Sequence, residues 1–145
     1  DVVLMLLLLR QTCYIRRSNA RRSKIKESGE HMISSDIIRG YIDTMILYLL
    51  LNEPSYGYEI SKKIKELTDE KYIMKETTLY SAFKRMEANG YIESFSGEET
   101  YGKPRTYYRI TEAGESYYRE KCKEWELTKE VIEKFIVKEN NNEYN

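Results

Sequence analysis

At 145 residues and 41% apolar content, the chain can bury one modest core with appendages, and two full domains are out of its reach. Its 24 Lys and Arg are matched by 24 Asp and Glu, so any attraction to a polyanion has to come from a local cationic face. Two cysteines, Cys13 and Cys122, make no disulfide framework and fit a reducing, cytoplasmic setting, while the lone His31 removes most metal and acid–base constellations, and no cofactor is expected.

Residues 1–31 carry a charge of +4 and the remainder −4. Within them, residues 2–9 are an apolar run too short to cross a bilayer, preceded by Asp1 where an export signal carries positive charge. No membrane partner is expected. The basic stretch 16–26 lacks periodicity and suits a DNA arm, an acidic-lipid anchor or a disordered tail, of which the tail is the reading favoured here. Met32 and the capping cluster Ser34, Ser35 and Asp36 mark the start of the folded unit. This sets 1–31 apart as a basic N-terminal extension, disordered or non-native.

A first helix is predicted over residues 36–52, apolar nearly all round in its second half. That surplus is expected to face a partner subunit. After a loop at 52–55, Ser55 is placed to cap a second helix reaching about Thr68, with Ile60, Ile64 and Leu67 as its buried stripe. Residues 68–75 are read as the turn of a helix-turn-helix, in which Tyr72, Ile73 and Met74 are expected to add a short extended pairing to a wing further along the chain.

The next helix opens near Lys75. Leu79, Phe83 and Met86 recur at spacings of four and three, which points one face into a core. The opposite face carries Thr77, Ser81, Lys84 and Ala88, with Thr78, Tyr80 and Arg85 on its shoulders, so little bulk keeps the backbone from another surface. By itself that pattern fits a solvated helix as well as one entering a DNA groove. Thr77 or Thr78 is expected to cap the first turn, and Asn89-Gly90 to end the helix. Two β-rich runs come next, 91–96 and 105–110, separated by a turn-like segment, and Thr111 caps a last helix running to about Lys138. Helix, helix, hairpin is the winged helix-turn-helix order. On the last helix, Tyr118, Cys122, Trp125, Lys129, Ile132 and Ile136 alternate spacings of four and three, a heptad-like seam that so small a domain cannot bury and that calls for a second chain. Residues 139–145 are a polar tail.

Three motifs carry a resemblance: PSYGYEI at 54–60, ETTLYSAFKRMEANGYI at 76–92 and GKPRTYYRITEAG at 102–114. In this order and at these distances the sequence resembles the PadR family of transcriptional regulators over residues 35–136. Its short C-terminal part looks like the compact subfamily that includes the lactococcal multidrug-responsive repressor. The resemblance implies a homodimer that represses by binding a double-stranded DNA operator of inverted-repeat form and is released by a small aromatic effector. It places Thr77, Thr78, Tyr80, Ser81 and Lys84 on the recognition helix, Lys103 and Arg105 on the wing, and Tyr56 where such domains touch the phosphate backbone. Trp125 falls where an indole stacks the ligand in the multidrug repressor. Lys129, one turn on, departs from a pocket for cationic drugs and favours a neutral or anionic ring.

Bland readings stand beside these. Tyr80 also reads as a core-edge aromatic, Lys103 and Arg105 as an ordinary solvated hairpin, and Trp125 as simple interface packing. The fold expected is mainly α with a small β wing: a winged helix-turn-helix over 32–110 and a C-terminal dimerisation helix over 111–138, its seam formed by Tyr118, Cys122, Trp125, Ile132 and Ile136. An enzyme fails on inventory, because the sequence shows no His/Cys/carboxylate cluster, no glycine-rich phosphate loop and no serine in a nucleophile-elbow setting. The alternative is a winged-helix protein-interaction module without DNA binding, against which Lys84, Arg85, Lys103 and Arg105 argue.

Overall fold

The computed structural model describes residues 32–97 and 104–137. Lys103, the rest of the hairpin turn, the extension 1–31 and the tail 139–145 lie outside them. The described elements are α1 (Ser35–Ile38), a 3-10 turn (Arg39–Tyr41), α2 (Ile42–Leu50), β1 (Ser55–Tyr56), α3 (Gly57–Leu67), α4 (Glu76–Ala88), β2 (Ile92–Ser96), β3 (Thr106–Ile110) and α5 (Glu112–Glu133). The architecture is mainly helical with one three-stranded antiparallel sheet, in the order β1-β3-β2.

The expected first helix is therefore divided. Gly40 sits at the division, where its helix propensity is about 1 kcal/mol below that of alanine, and the chain tightens into the 3-10 turn before Tyr41 leaves helical geometry at φ −114°, ψ 2°. Ser55 does not cap the second helix. It pairs with Tyr108, as Tyr56 does with Tyr107, and this pairing supplies the extra strand expected of Tyr72–Met74. Those residues are used otherwise: Tyr72 and Met74 turn their side chains into the core. The stripe on α3 is also shorter than expected, since Ile60 and Ile64 are buried but Leu67 is 64% exposed.

α4 holds the centre. Leu79, Ala82, Phe83 and Met86 are buried on its inner face, with Phe83 stacked on Tyr108 of β3 at 4.0 Å between centroids. Burying a side chain of that size contributes roughly 1.5–3 kcal/mol. Neither Thr77 nor Thr78 caps the helix, because both already lie inside it; Lys75 is the boundary residue and no side chain caps it. The C-terminal end is as expected: Gly90 takes φ +73°, its N–H donates to the Glu87 carbonyl and that of Tyr91 to Met86 at 2.9 Å. This is the paired closure that a glycine just past a helix end allows.

Thr111 caps α5, its hydroxyl accepting from the Gly114 N–H at 3.1 Å while donating to the Gly90 carbonyl at 2.6 Å. Its own N–H donates to the Tyr91 carbonyl at 3.0 Å. The start of α5 is thus fastened to the turn that ends α4. Gly114 makes the fastening possible, since a Cβ there would run into the Tyr91 carbonyl oxygen and lie 2.9 Å from Ile110 Cγ1. α5 itself ends at Glu133, short of Lys138.

Alanine at Gly114 gains helix propensity but overpacks against backbone, and overpacking costs about 1–3 kcal/mol. Gly114→Ala should therefore lower the urea midpoint with little change in slope. A midpoint at or above that of the wild type would mean the contact is not made.

Candidate functional site

The outer face of α4 is assembled as its periodicity requires. Thr77, Ser81, Lys84 and Ala88 are exposed along it, and Thr78 is half-buried on one shoulder. The Ser81 hydroxyl donates to the Thr77 carbonyl at 2.7 Å, which leaves its lone pairs outward. Lys84 has no ion-pair partner among the described residues. Arg85 differs, being paired with Asp43 of α2. Asp43 is only 15% exposed at its side chain, so Arg85 serves to neutralise it and to fix α4 against α2, rather than standing free.

On the other shoulder Tyr80 is 46% exposed and packs edge-on against Phe83 at 5.7 Å. A Cβ on Gly57 would stand 3.0 Å from its hydroxyl, which places Tyr80 against the start of α3. Tyr80 is thus a core-edge aromatic with an exposed rim. Just before Gly57, Tyr56 lies edge-on to Tyr107 at 5.3 Å, and Phe95 stacks on Tyr107 at 5.8 Å. Arg105 sits 4.1 Å over the Tyr56 ring and Arg109 5.0 Å over Phe95. Two guanidiniums therefore bracket an aromatic row across β1, β3 and β2, each contact contributing about 0.5–1 kcal/mol at such exposed sites. Arg109 is further tied to Glu93, its cross-strand partner, at 3.2 Å.

Beneath the row, the buried Ser55 hydroxyl donates to Glu59 at 2.6 Å. That hydrogen bond, ahead of Lys63 and Arg105, holds the Glu59 carboxyl below its usual range. Reading Ser55 as a helix cap hides the Ser55 and Glu59 pair, although their four-residue spacing is visible in the sequence. Tyr56 and Arg105 are brought together, and Lys103 lies outside the described residues.

The remaining site residues gather at a second place. A groove of about 800 Å³ runs between α1–α2 and α5, with Ile37, Tyr41, Met45 and Tyr48 on one wall and Tyr118, Cys122, Trp125, Lys129 and Ile132 on the other. Trp125 is 42% exposed and meets Tyr41 edge-on at 5.2 Å. Lys129 lies 5.6 Å over the indole, but its ammonium is paired with Glu126 at 2.8 Å, and Glu133 also lines the groove. The positive charge expected beside Trp125 is therefore paired with a carboxylate of its own helix. Among the described residues, the one buried side-chain polar atom without a partner is Thr44 Oγ1, on a residue of this groove. Beyond the groove, Ile136 is 60% exposed and lies past the end of α5.

A model of the transcriptional regulator PadR-like family matches residues 46–120, from within α2 to within α5. This chain belongs to the PadR-like family. It is similar to a transcriptional regulator from Clostridium thermocellum, 66% identical, over 71% of this chain and all of that one, with a TM-score of 0.68. It is also similar to a PadR family transcription regulator from Clostridium difficile, 36% identical over 67% of this chain and 99% of that one, with a TM-score of 0.58. An uncharacterised protein of Lysinibacillus sphaericus is 46% identical over 105 residues, 72% of this chain and 96% of its own length. The PadR-like match spans α4 and the sheet, the fold is that of a winged-helix DNA-binding regulator, and transcription regulation is the role of the family. None of the described helices is long and apolar enough to cross a membrane.

Proposed function

We propose that the chain is a cytoplasmic PadR-type repressor that binds an inverted-repeat operator as a homodimer and is released by a small flat aromatic effector. The observation carrying the DNA reading is the outer face of α4, where Thr77, Ser81 and Lys84 are exposed and unencumbered. Hydroxyls and an ammonium at this spacing reach base edges in a major groove, while Tyr56 and Arg105 reach the backbone beside it. Contact with the Tyr56 ring restrains the Arg105 guanidinium, whose N–H groups suit phosphate oxygens. The test is a shift assay on duplexes selected from a randomised pool by the wild-type chain. The triple change of Thr77, Ser81 and Lys84 to alanine should cost at least tenfold in affinity for the selected sequence, whereas Arg105→Ala should weaken all sequences alike and lower the salt slope by about one per protomer. A triple variant that shifts the selected duplex like wild type would mean the wrong face has been assigned.

The dimer reading rests on the exposed apolar residues that one chain leaves uncovered. Ile37, Leu127, Ile132, Phe135 and Ile136 are each more than half exposed, more large apolar surface than solvation favours on one chain. Tyr118 and Cys122 are half-buried against α2 of the same chain, so the part of the seam left for a second subunit runs from Trp125 to Ile136. Light scattering should give a dimer for the whole chain and no dimer once it is cut after Thr111; a dimeric product of the cut would refute the assignment.

The compact multidrug-responsive type is supported by the groove. Trp125 offers an indole face at its mouth, Tyr41 and Tyr48 supply aromatic walls, and the offset of Lys129 by Glu126 leaves shape rather than charge as the selector. Flat neutral aromatics should quench this sole tryptophan and weaken DNA binding together, and Trp125→Ala should abolish the second effect. Release of DNA that is unchanged in Trp125→Ala would place the effector elsewhere.

A further inference from the structure

Among the described residues, Tyr56 and Arg105 stand on one side of α4. At 3.6 residues per turn, Tyr80 and Thr78 lie roughly 160° apart around α4, on opposite shoulders of the outer face. Tyr80 faces Gly57, and so the side on which Tyr56 and Arg105 stand. Thr78 and Arg85 instead line a separate recess of about 520 Å³, shared with Thr77, Ser81, Arg39 and Lys75 and with apolar Ile42 and Ile73. Arg39 comes from the 3-10 turn and Lys75 from the boundary of α4.

The charges in this recess are not equivalent. Arg85 is committed to Asp43, which also lines it. Lys75 has no ion-pair partner among the described residues. Arg39 meets Asp36 at 3.3 Å, but the two side chains are 76% and 86% exposed, and a pair so open to water contributes little. Two long cationic side chains are thus free to turn outward beside the base-reading face, with the Thr77, Thr78 and Ser81 hydroxyls between them. A helix lying in a major groove has a sugar-phosphate strand along each side of it. Tyr56 and Arg105 stand toward one side.

We propose that Arg39 and Lys75 form a second phosphate-binding wall, gripping the DNA strand opposite the one held by Tyr56 and Arg105. This rests on the DNA-binding reading and deepens it by assigning a strand to each flank of α4. Contacts to both strands fix the tilt of the helix in the groove as well as its depth. Loss of one wall therefore loosens register as well as affinity.

The experiment uses the full chain, a duplex selected from a randomised pool by the wild-type protein, and copies of that duplex carrying single neutral methylphosphonate linkages on either strand. Wild type should lose affinity at neutral linkages on both strands. Arg39→Gln with Lys75→Gln should bind more weakly, with a salt slope smaller by about two per bound protomer. It should also become indifferent to neutral linkages on one strand while still responding to those on the other. Arg105→Ala should show the reverse pattern, which a general loss of fold or charge does not produce. Lys75→Arg, which keeps the charge, should restore the sensitivity when Arg39 is intact. If wild type selects no duplex at all, the DNA reading itself fails. If it selects one and the double variant keeps the wild-type slope and the wild-type response on both strands, the wall does not exist.

Discussion

The arrangement depends on the fastening of α5 to the end of α4. Thr111 reaches back to the carbonyls of Gly90 and Tyr91 with its hydroxyl and its backbone N–H, and caps its own helix through the Gly114 N–H. Each of these bonds contributes only about 1 kcal/mol. Together they fix where one helix ends and the next begins, and the absence of a side chain at Gly114 lets the two backbones meet. Tyr91 and Tyr117 add a ring stack at 4.2 Å with the planes 8° apart. The Asp43 and Arg85 pair holds α4 against α2 from the other direction. Burial, and secondarily Asp43, pushes the Tyr117 hydroxyl above its usual range.

Much of this is legible in the sequence because it depends on period and on punctuation. The spacing of Leu79, Phe83 and Met86 names the buried face of α4, Asn89-Gly90 names its end, and Thr111 names the start of α5. The misreadings share a different cause. Ser55 looks like a helix cap because serine before a helical run usually is one, but a free sheet edge beside Tyr108 competes for the same residue and wins. The Tyr72 and Met74 segment looks extended, as it is, yet its side chains are needed to cover the core. Both outcomes are decided by tertiary competition, which local pattern does not contain.

The site divides in the same way. Thr77, Ser81 and Lys84 are legible as one exposed face because they oppose a periodic core stripe. Arg39 and Lys75 are not, since they come together only through the turn at Arg39–Tyr41 and the boundary of α4. Position alone assigns Arg85 to the free cationic face. The structure withdraws it, because a largely buried carboxylate 42 residues earlier claims it. The same holds for Lys129: its charge is plain in the sequence, and so is Glu126 three residues before it, but only the structure shows the two paired.

These ties restrict how a signal from the groove could reach DNA in the proposed dimer. With α4 joined to α5 by Thr111 and to α2 by Asp43, bending α4 within a protomer would break several bonds at once. Rotating one protomer against the other would break none of them. The groove lies between α1–α2 and α5, beside the apolar surface assigned to the second subunit, so an occupant there bears on the angle between protomers rather than on the shape of either. Two half-sites on DNA are separated by about one helical turn, ~34 Å, and each recognition helix is rigid with its own α5. A small rotation at the axis of the proposed dimer would then be magnified along the long helix into a mismatch of register. An effector with a ~1.4 kcal/mol preference for the rotated pair already reduces operator affinity tenfold. In that dimer the rigid fastening at Thr111 would let so small a preference be felt at the far end of each protomer.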